Sequence, residues 1–267
     1  MMAVEQLCNT ETDNTFSARH AKQITATKFS RAVAGYAEHA NVQKRSADDL
    51  FAKVKSHATG ICLDLGAGPG VNTARLQVLF GTTIAFDLSF DMLKHSQARM
   101  AICADMDALP LLNKSVDCIF SNFAVQWSQN LPHLLKELYR VLKPGGVIYL
   151  SCVVDGSLAE IKTAFNEVDS QSHVNKFHTL VQLQQYISAA KLDVSSLNQT
   201  CYQDSYESPM AALRSLKAIG ATNQLSQQKR KGLMTKHRLQ QVCAAFPLVN
   251  ERAIVSYQVA IMELKKI

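Results

Sequence analysis

Leu63-Asp64-Leu65-Gly66-Ala67-Gly68-Pro69-Gly70 is the stretch that decides the fold of this chain. Apolar residues from Ile61 to Leu65 read as a buried strand, and Val71 to Phe80 reads as a helix with Gly81 at its C-cap. A strand that turns through glycines straight into a helix is where a doubly wound sheet receives nucleotide-like ligands. Glycine suits such a turn because the chain bends sharply and a ligand approaches the backbone closely. A dinucleotide fingerprint would set its third glycine at position 71. Here that position is Val71, and the third glycine is Gly70. The spacing departs from the dinucleotide fingerprint.

Outward from this turn, strands and helices alternate. Thr82 to Phe86 is the next strand, and Ser89 caps a helix to about Ala98. Ala101 to Cys103 and Val116 to Ser121 follow as strands. Asn130 before Leu131-Pro132 marks a helix start, whose Leu134, Leu135, Leu138 and Leu142 share one side. Lys143-Pro144-Gly145-Gly146 ends it, and Val147 to Val154 is another strand. Beyond lie two candidate capping boxes, Ser157 to Glu160 and Thr179 to Gln182. Strand-like Asp193 to Tyr206 and Ala253 to Leu264 flank a helical Pro209 to Ile219. N-terminal to the glycine turn, helices are expected over Lys22 to Tyr36, with Ile24, Phe29, Val33 and Tyr36 apolar, and after Asn41 as N-cap. Alternation of this kind implies a mostly parallel sheet covered on both faces.

Bulk properties exclude several classes. With 47% apolar and 19% charged residues, the composition is that of a globular protein. No run approaches the length of a membrane span, and residues 1–16 lack the order of a secretory signal, reading instead as a loose leader. The seven cysteines include no Cys-x-x-Cys pair. Cys62, Cys103, Cys118 and Cys152 fall in strand-like runs, as buried free thiols of a cytoplasmic protein would. The histidines are scattered, so no metal site is expected. A net charge of +6 fits an acidic partner without requiring one. Basic residues without aromatic interleaving argue against nucleic acid as a partner.

Four motifs recur in a fixed order: the glycine turn, Phe86-Asp87-Leu88-Ser89, Cys103-Ala104-Asp105-Met106, and Asp117 to Asn122 followed by Arg140-Val141-Leu142-Lys143-Pro144-Gly145-Gly146. A carboxylate ending the second strand can accept from both ribose hydroxyls. The set resembles the class I methyltransferases that use S-adenosylmethionine. That resemblance implies a Rossmann-like α/β fold: a mostly parallel seven-stranded sheet with an antiparallel last strand, an N-terminal helical cover and a helical insertion before the last strand. It implies cofactor contacts from Asp64, Gly66, Ala67, Gly68, Gly70, Asp87, Leu88, Met92, Asp105, Met106 and Asn122. It also implies one domain: leader and N-terminal helices (1–58), cofactor core (59–155), the far half of the sheet (156–206), a substrate-side insertion (207–250) and the last strand (251–267).

Three further segments narrow the likeness: Phe29 to Ala40, Ser121-Asn122-Phe123-Ala124-Val125-Gln126-Trp127, and Met210 to Ala221 with Arg214-Ser215-Leu216-Lys217. They resemble the malonyl-acyl-carrier-protein O-methyltransferases of biotin synthesis, from Lys28 onward. The resemblance implies methylation of the free carboxylate of a malonyl thioester, on carrier protein or coenzyme A, so that fatty-acid synthase elongates it as an ordinary primer. The acceptor carboxylate is ionised near neutral pH, so no general base is needed. Arg214 is the candidate clamp for that carboxylate, or else a surface arginine. Tyr36 covers the cofactor or packs a helix, and Gln126 with Trp127 walls the pocket or fills core. Lys217, with Lys229, Arg230 and Lys231, meets an acidic carrier docking transiently, or is a solvated face. The competing readings are a quinone or other small-molecule methyltransferase, and a nicotinamide-dependent oxidoreductase.

Overall fold

The computed structural model describes residues 22–31, 33, 39–169, 173–218 and 235–267. Helix α1, described over 22–31, and α2 (Asn41–Phe51) precede the sheet. There follow β1 (His57–Leu65), α3 (Val71–Leu79), β2 (Phe80–Asp87), α4 (Phe90–His95), β3 (Met100–Cys103) and β4 (Val116–Asn122). Next come α5 (Leu131–Val141), β5 (Leu142–Val153), α6 (Ala159–Asn166), α7 (Leu180–Ala189) and β6 (Asp193–Tyr206). The chain continues through α8 (Pro209–Ala218), α9 (Lys236–Ala244), β7 (Leu248–Val249) and β8 (Arg252–Lys265).

The strands form one sheet in the order β3-β2-β1-β4-β5-β8-β6. The first five are mutually parallel, and β8 runs antiparallel between β5 and β6. This is the Rossmann-like sheet with an antiparallel last strand that the motif order implied. An eighth strand is added by β7, which pairs Leu248 with Ala253 and Val249 with Arg252. The two-residue turn between them, Asn250 and Glu251, has positive φ at both positions, the geometry that matches strand twist in tight hairpins.

Alternation along the strands sends side chains to two cores. Leu63, Leu65, Ile119, Ile148 and Leu150 face the leucines of α5 and Leu183 and Ile187 of α7. Cys62, Phe120, Tyr149, Val153 and Ile261 face α2, α3, α6, α8 and α9. On α5, Leu134, Leu135 and Leu138 are fully buried, and each such side chain contributes roughly 1.5–3 kcal/mol. Asn130 caps α5 by accepting from the His133 amide, with proline at the first turn.

Several local expectations give way to tertiary constraints. Ala40, not Asn41, occupies the cap position of α2, and Asn41 is already helical. Gly81 lies inside β2 rather than at a C-cap, since α3 passes directly into an extended Phe80. A side chain at Gly81 would meet the Ala58 carbonyl oxygen at 2.4 Å, so space demands glycine there. Residues 143–146 belong to β5, α4 stops at His95, and Ile24 is exposed. Thr179 and Gln182 form a full capping box on α7. Ser157 to Glu160 does not: Leu158 takes the cap position of α6, Ser157 Oγ donates to the Val154 carbonyl, and Glu160 accepts from Ser256 of β8. Cys62, Cys118 and Cys152 are buried, whereas Cys103 is exposed because β3 is an edge strand. Among the described residues, no helix is long and apolar enough to cross a membrane.

Candidate functional site

A cavity opens at the C-terminal edge of the parallel strands, where β1, β2, β3 and β4 each end in a loop that reaches it. The glycine turn is pinned to β2 through its backbone: the amides of Gly66 and Ala67 both donate to the Phe86 carbonyl, at 2.7 and 2.9 Å. Gly66 has positive φ, and a side chain there would run into Ala124 at 2.2 Å. Gly68 also has positive φ, but no atom of the described residues lies within 4 Å of where its Cβ would stand. A side chain at Gly68 would project into the cavity, so glycine there leaves room for a ligand against the backbone.

Asp87 holds the turn from the opposite side. Its Oδ2 accepts from the Gly68 amide at 2.9 Å and its Oδ1 from the Ser89 amide at 2.7 Å. Burial pushes the Asp87 carboxyl above its ordinary range, and these backbone donors pull it back. Each oxygen can accept a further hydrogen bond, and Asp87 lines the cavity. Asp64 behaves differently. It is buried beneath α3, accepts from Thr73 Oγ1 at 2.6 Å, and has no surface on the cavity. Burial, opposed by the Thr73 hydroxyl and reinforced by the charge of Asp87, raises its carboxyl to about 7.

Helix α1 closes the cavity from above. Lys22 pairs with Asp105 and with Asp107, the latter at 2.7 Å, and Asp107 also receives the Ser128 hydroxyl. Burial alone would raise the Asp107 carboxyl; the Lys22 and Ser128 hydrogen bonds overcome it and hold it below the usual range. Seven and eight residues on, the Phe29 ring meets Trp127 edge-on at 5.4 Å and Ser30 Oγ lies 2.9 Å from Ser89 Oγ. Such spacing puts all three side chains on one face of a helix. Asn122, at the end of β4, is fixed by Ser46 and Ser151 and donates to the Gln43 carbonyl of α2 at 3.0 Å.

Of the residues singled out from sequence, Gly66, Gly68, Asp87, Leu88, Met92, Asp105, Met106, Asn122 and Trp127 line this cavity together. Asp64, Ala67 and Gly70 do not: they support the turn, Ala67 packing with Ala85 and Leu93, and Gly70 standing at the N-terminus of α3. Gln126 lines a second, adjoining cavity. Arg214 and Lys217 are exposed on α8 and line neither of these two cavities. Tyr36, Lys229, Arg230 and Lys231 lie outside the described residues. Lys22, Thr25, Phe123 and Gln129 are cavity residues that sequence reasoning misses, and Phe29 reads from sequence only as helix packing. A lysine two helical turns before Phe29, on the same helix face, is the available signal for Lys22.

The sequence profile of a methyltransferase-domain family matches residues 63–150, from β1 into β5. The malonyl-acyl-carrier-protein O-methyltransferase of Pseudescherichia vulneris is 35% identical over 240 residues, which cover 88% of this chain and 94% of that one. The biotin biosynthesis bifunctional protein BioHC of Cellvibrio japonicus is 34% identical over 237 residues, 86% of this chain but 46% of that protein. Among solved structures, the YcgJ protein of Bacillus subtilis matches with a TM-score of 0.60, covering 84% of this chain and 99% of that one. At 18% identity that likeness is one of fold.

Proposed function

The chain belongs to the malonyl-acyl-carrier-protein O-methyltransferases, and from that premise we propose that it esterifies the free carboxylate of a malonyl thioester for biotin synthesis. S-adenosylmethionine, when bound, supplies the methyl group. The observation that most supports this reading is the pairing of two cavities across a shared wall of Phe29, Phe123 and Trp127. One is lined by the carboxylates of Asp87 and Asp105 and by the open backbone at Gly68, which suits a nucleoside. The other is mainly apolar and carries amides, which suits an acyl thioester.

In this assignment Asp87 receives the ribose hydroxyls, Asp105 faces the adenine amino group, and Leu88, Met92 and Met106 supply apolar surface for the base. Phe29, Phe123 and Trp127 keep water from the reacting atoms. The acceptor arrives already ionised, so the protein needs no base. Its work is alignment and desolvation of two opposite charges that both disappear in the product. Arg214 and Lys217 stand on α8, which leaves the sheet from the end of β6, and we assign their exposed charges to the approach of an acidic carrier.

The test is transfer of labelled methyl to malonyl-carrier protein, malonyl-CoA and free malonate side by side. Base-labile label on a malonyl thioester is the expected result. Label on none of the three, with turnover on a quinone instead, would overturn the assignment.

A further inference from the structure

The second cavity has features that packing alone does not explain. Beyond the shared aromatic wall, it is lined by Val153, Leu158, Phe177 and Tyr257, with the amides of Gln43, Gln126 and Asn175. None of these residues is charged. Two of its bulky apolar residues, Phe123 and Leu158, have positive φ, of 54° and 59°. The Phe123 amide is held by Ser151 Oγ at 3.0 Å and the Leu158 amide by the Ser256 carbonyl at 2.7 Å. Bulky residues kept in this region cluster at ligand sites, where the surroundings over-determine them. Gln126 Oε1, meanwhile, is buried with no hydrogen-bond partner among the described residues. A buried acceptor calls for a donor, and a ligand in this cavity can supply one.

We propose that Gln126 is a positioning residue for the acceptor arm: its Oε1 accepts the N–H of the amide nearest the thioester sulfur. This rests on the malonyl-thioester reading above. An acceptor oxygen cannot receive the malonyl carboxylate, which is itself an acceptor, so the donor must lie elsewhere on the substrate. In a carrier or coenzyme A thioester the first donor is that amide, separated from sulfur by two methylenes. The malonyl carboxylate lies on the other side of the sulfur. Anchoring the amide at Gln126 therefore lets the carboxylate reach the wall of Phe29, Phe123 and Trp127 that borders the cofactor cavity. A mostly apolar chamber with a few amides matches an arm of methylenes interrupted by amide groups.

The experiment pairs a substrate change with a side-chain change. Malonyl-N-acetylcysteamine carries the amide; its isostere with oxygen in place of the N–H is the malonyl thioester of 2-mercaptoethyl acetate. Wild-type kcat/KM should favour the amide by about tenfold, the worth of one buried hydrogen bond. Gln126→Met, which lacks the acceptor, should lower kcat/KM on the amide thioester to the level of the ester and so abolish that preference. Gln126→Glu keeps an acceptor oxygen and should keep the preference, which carries the test should the methionine variant fail to fold. Equal wild-type rates on the two thioesters, or a Gln126→Met variant slowed equally on both, would overturn the proposal. So would a wild type active on malonyl-carrier protein and inactive on both small thioesters. Inactivity on all three would overturn the malonyl reading itself.

Discussion

Replacing Asp64 by asparagine should stabilise the protein, by an amount that depends on pH. Asp64 is 1% exposed and, among the described residues, its side chain accepts from the Thr73 hydroxyl. Burial raises its carboxyl from an ordinary 3.8 to about 7. The native state therefore binds this proton more tightly than the unfolded chain does. Below about pH 4 both states hold the proton, and Asp64 has no net effect. Between about pH 4 and 7 the unfolded chain has released it and the native state has not, so stability falls as pH rises. Above about pH 7 the native carboxylate is ionised in the interior and the cost is complete, at about 1.4 kcal/mol for each tenfold difference in proton affinity, or about 4 kcal/mol in all. An asparagine side chain would remain neutral throughout, and its amide oxygen can still accept from Thr73. Urea unfolding of wild type and Asp64→Asn at about pH 4.5, 5.5, 6.5 and 8 reads the difference directly. The mutant should gain little at the lowest pH and most of the ~4 kcal/mol at the highest. A difference that stays flat across this range, or that shrinks as pH rises, would refute the reasoning.

Two other perturbations separate roles at the mouth of the site. Lys22→Met removes both ion pairs that tie α1 to the cavity rim, so amide exchange across 22–31 should quicken, with a stability loss on the order of 1 kcal/mol; unchanged exchange would count against the latch. Arg214→Ala should raise the apparent KM for carrier-bound substrate at low salt, an effect that fades as salt screens the charge, and should spare small thioesters. A hundredfold loss of turnover on a small thioester would instead assign Arg214 the role of carboxylate clamp.

The parallel half of the sheet and nine of the cavity residues are readable from sequence because they depend on local order. A strand, a glycine turn and a helix N-terminus put Gly66, Gly68 and Asp87 together within a short stretch, and the caps at Ser89, Asn130 and Thr179 act within three residues. What escapes depends on distant partners. Gly81 resembles a helix terminator, but its space is decided by the backbone of Ala58 on the neighbouring strand. Ser157 and Glu160 have capping-box spacing, yet β8, far along the chain, claims both side chains. Lys22 is one lysine among many until α1 lies across Asp105 and Asp107. Asp64 neighbours the turn in sequence and so reads as a ligand contact; strand alternation points it under α3 instead.

The place of β8 in the sheet bears on the order in which the molecule can assemble. It is the last strand described but an inner one in space, hydrogen-bonded to β5 through Val259–Lys265 on one side and to β6 along most of its length on the other. While the ribosome is still making residues 252–265, β5 and β6 both present unpaired edges, and the apolar residues of α6 and α8 lack the strand they pack against. The five parallel strands can pair earlier, since each of their pairings spans fewer residues than that of β5 with β8. The other half waits for a single late strand to join two earlier ones. A nascent or truncated chain lacking β8 is therefore a template for edge-to-edge association, and deletion of this strand should be read out as aggregation before it is read out as loss of catalysis.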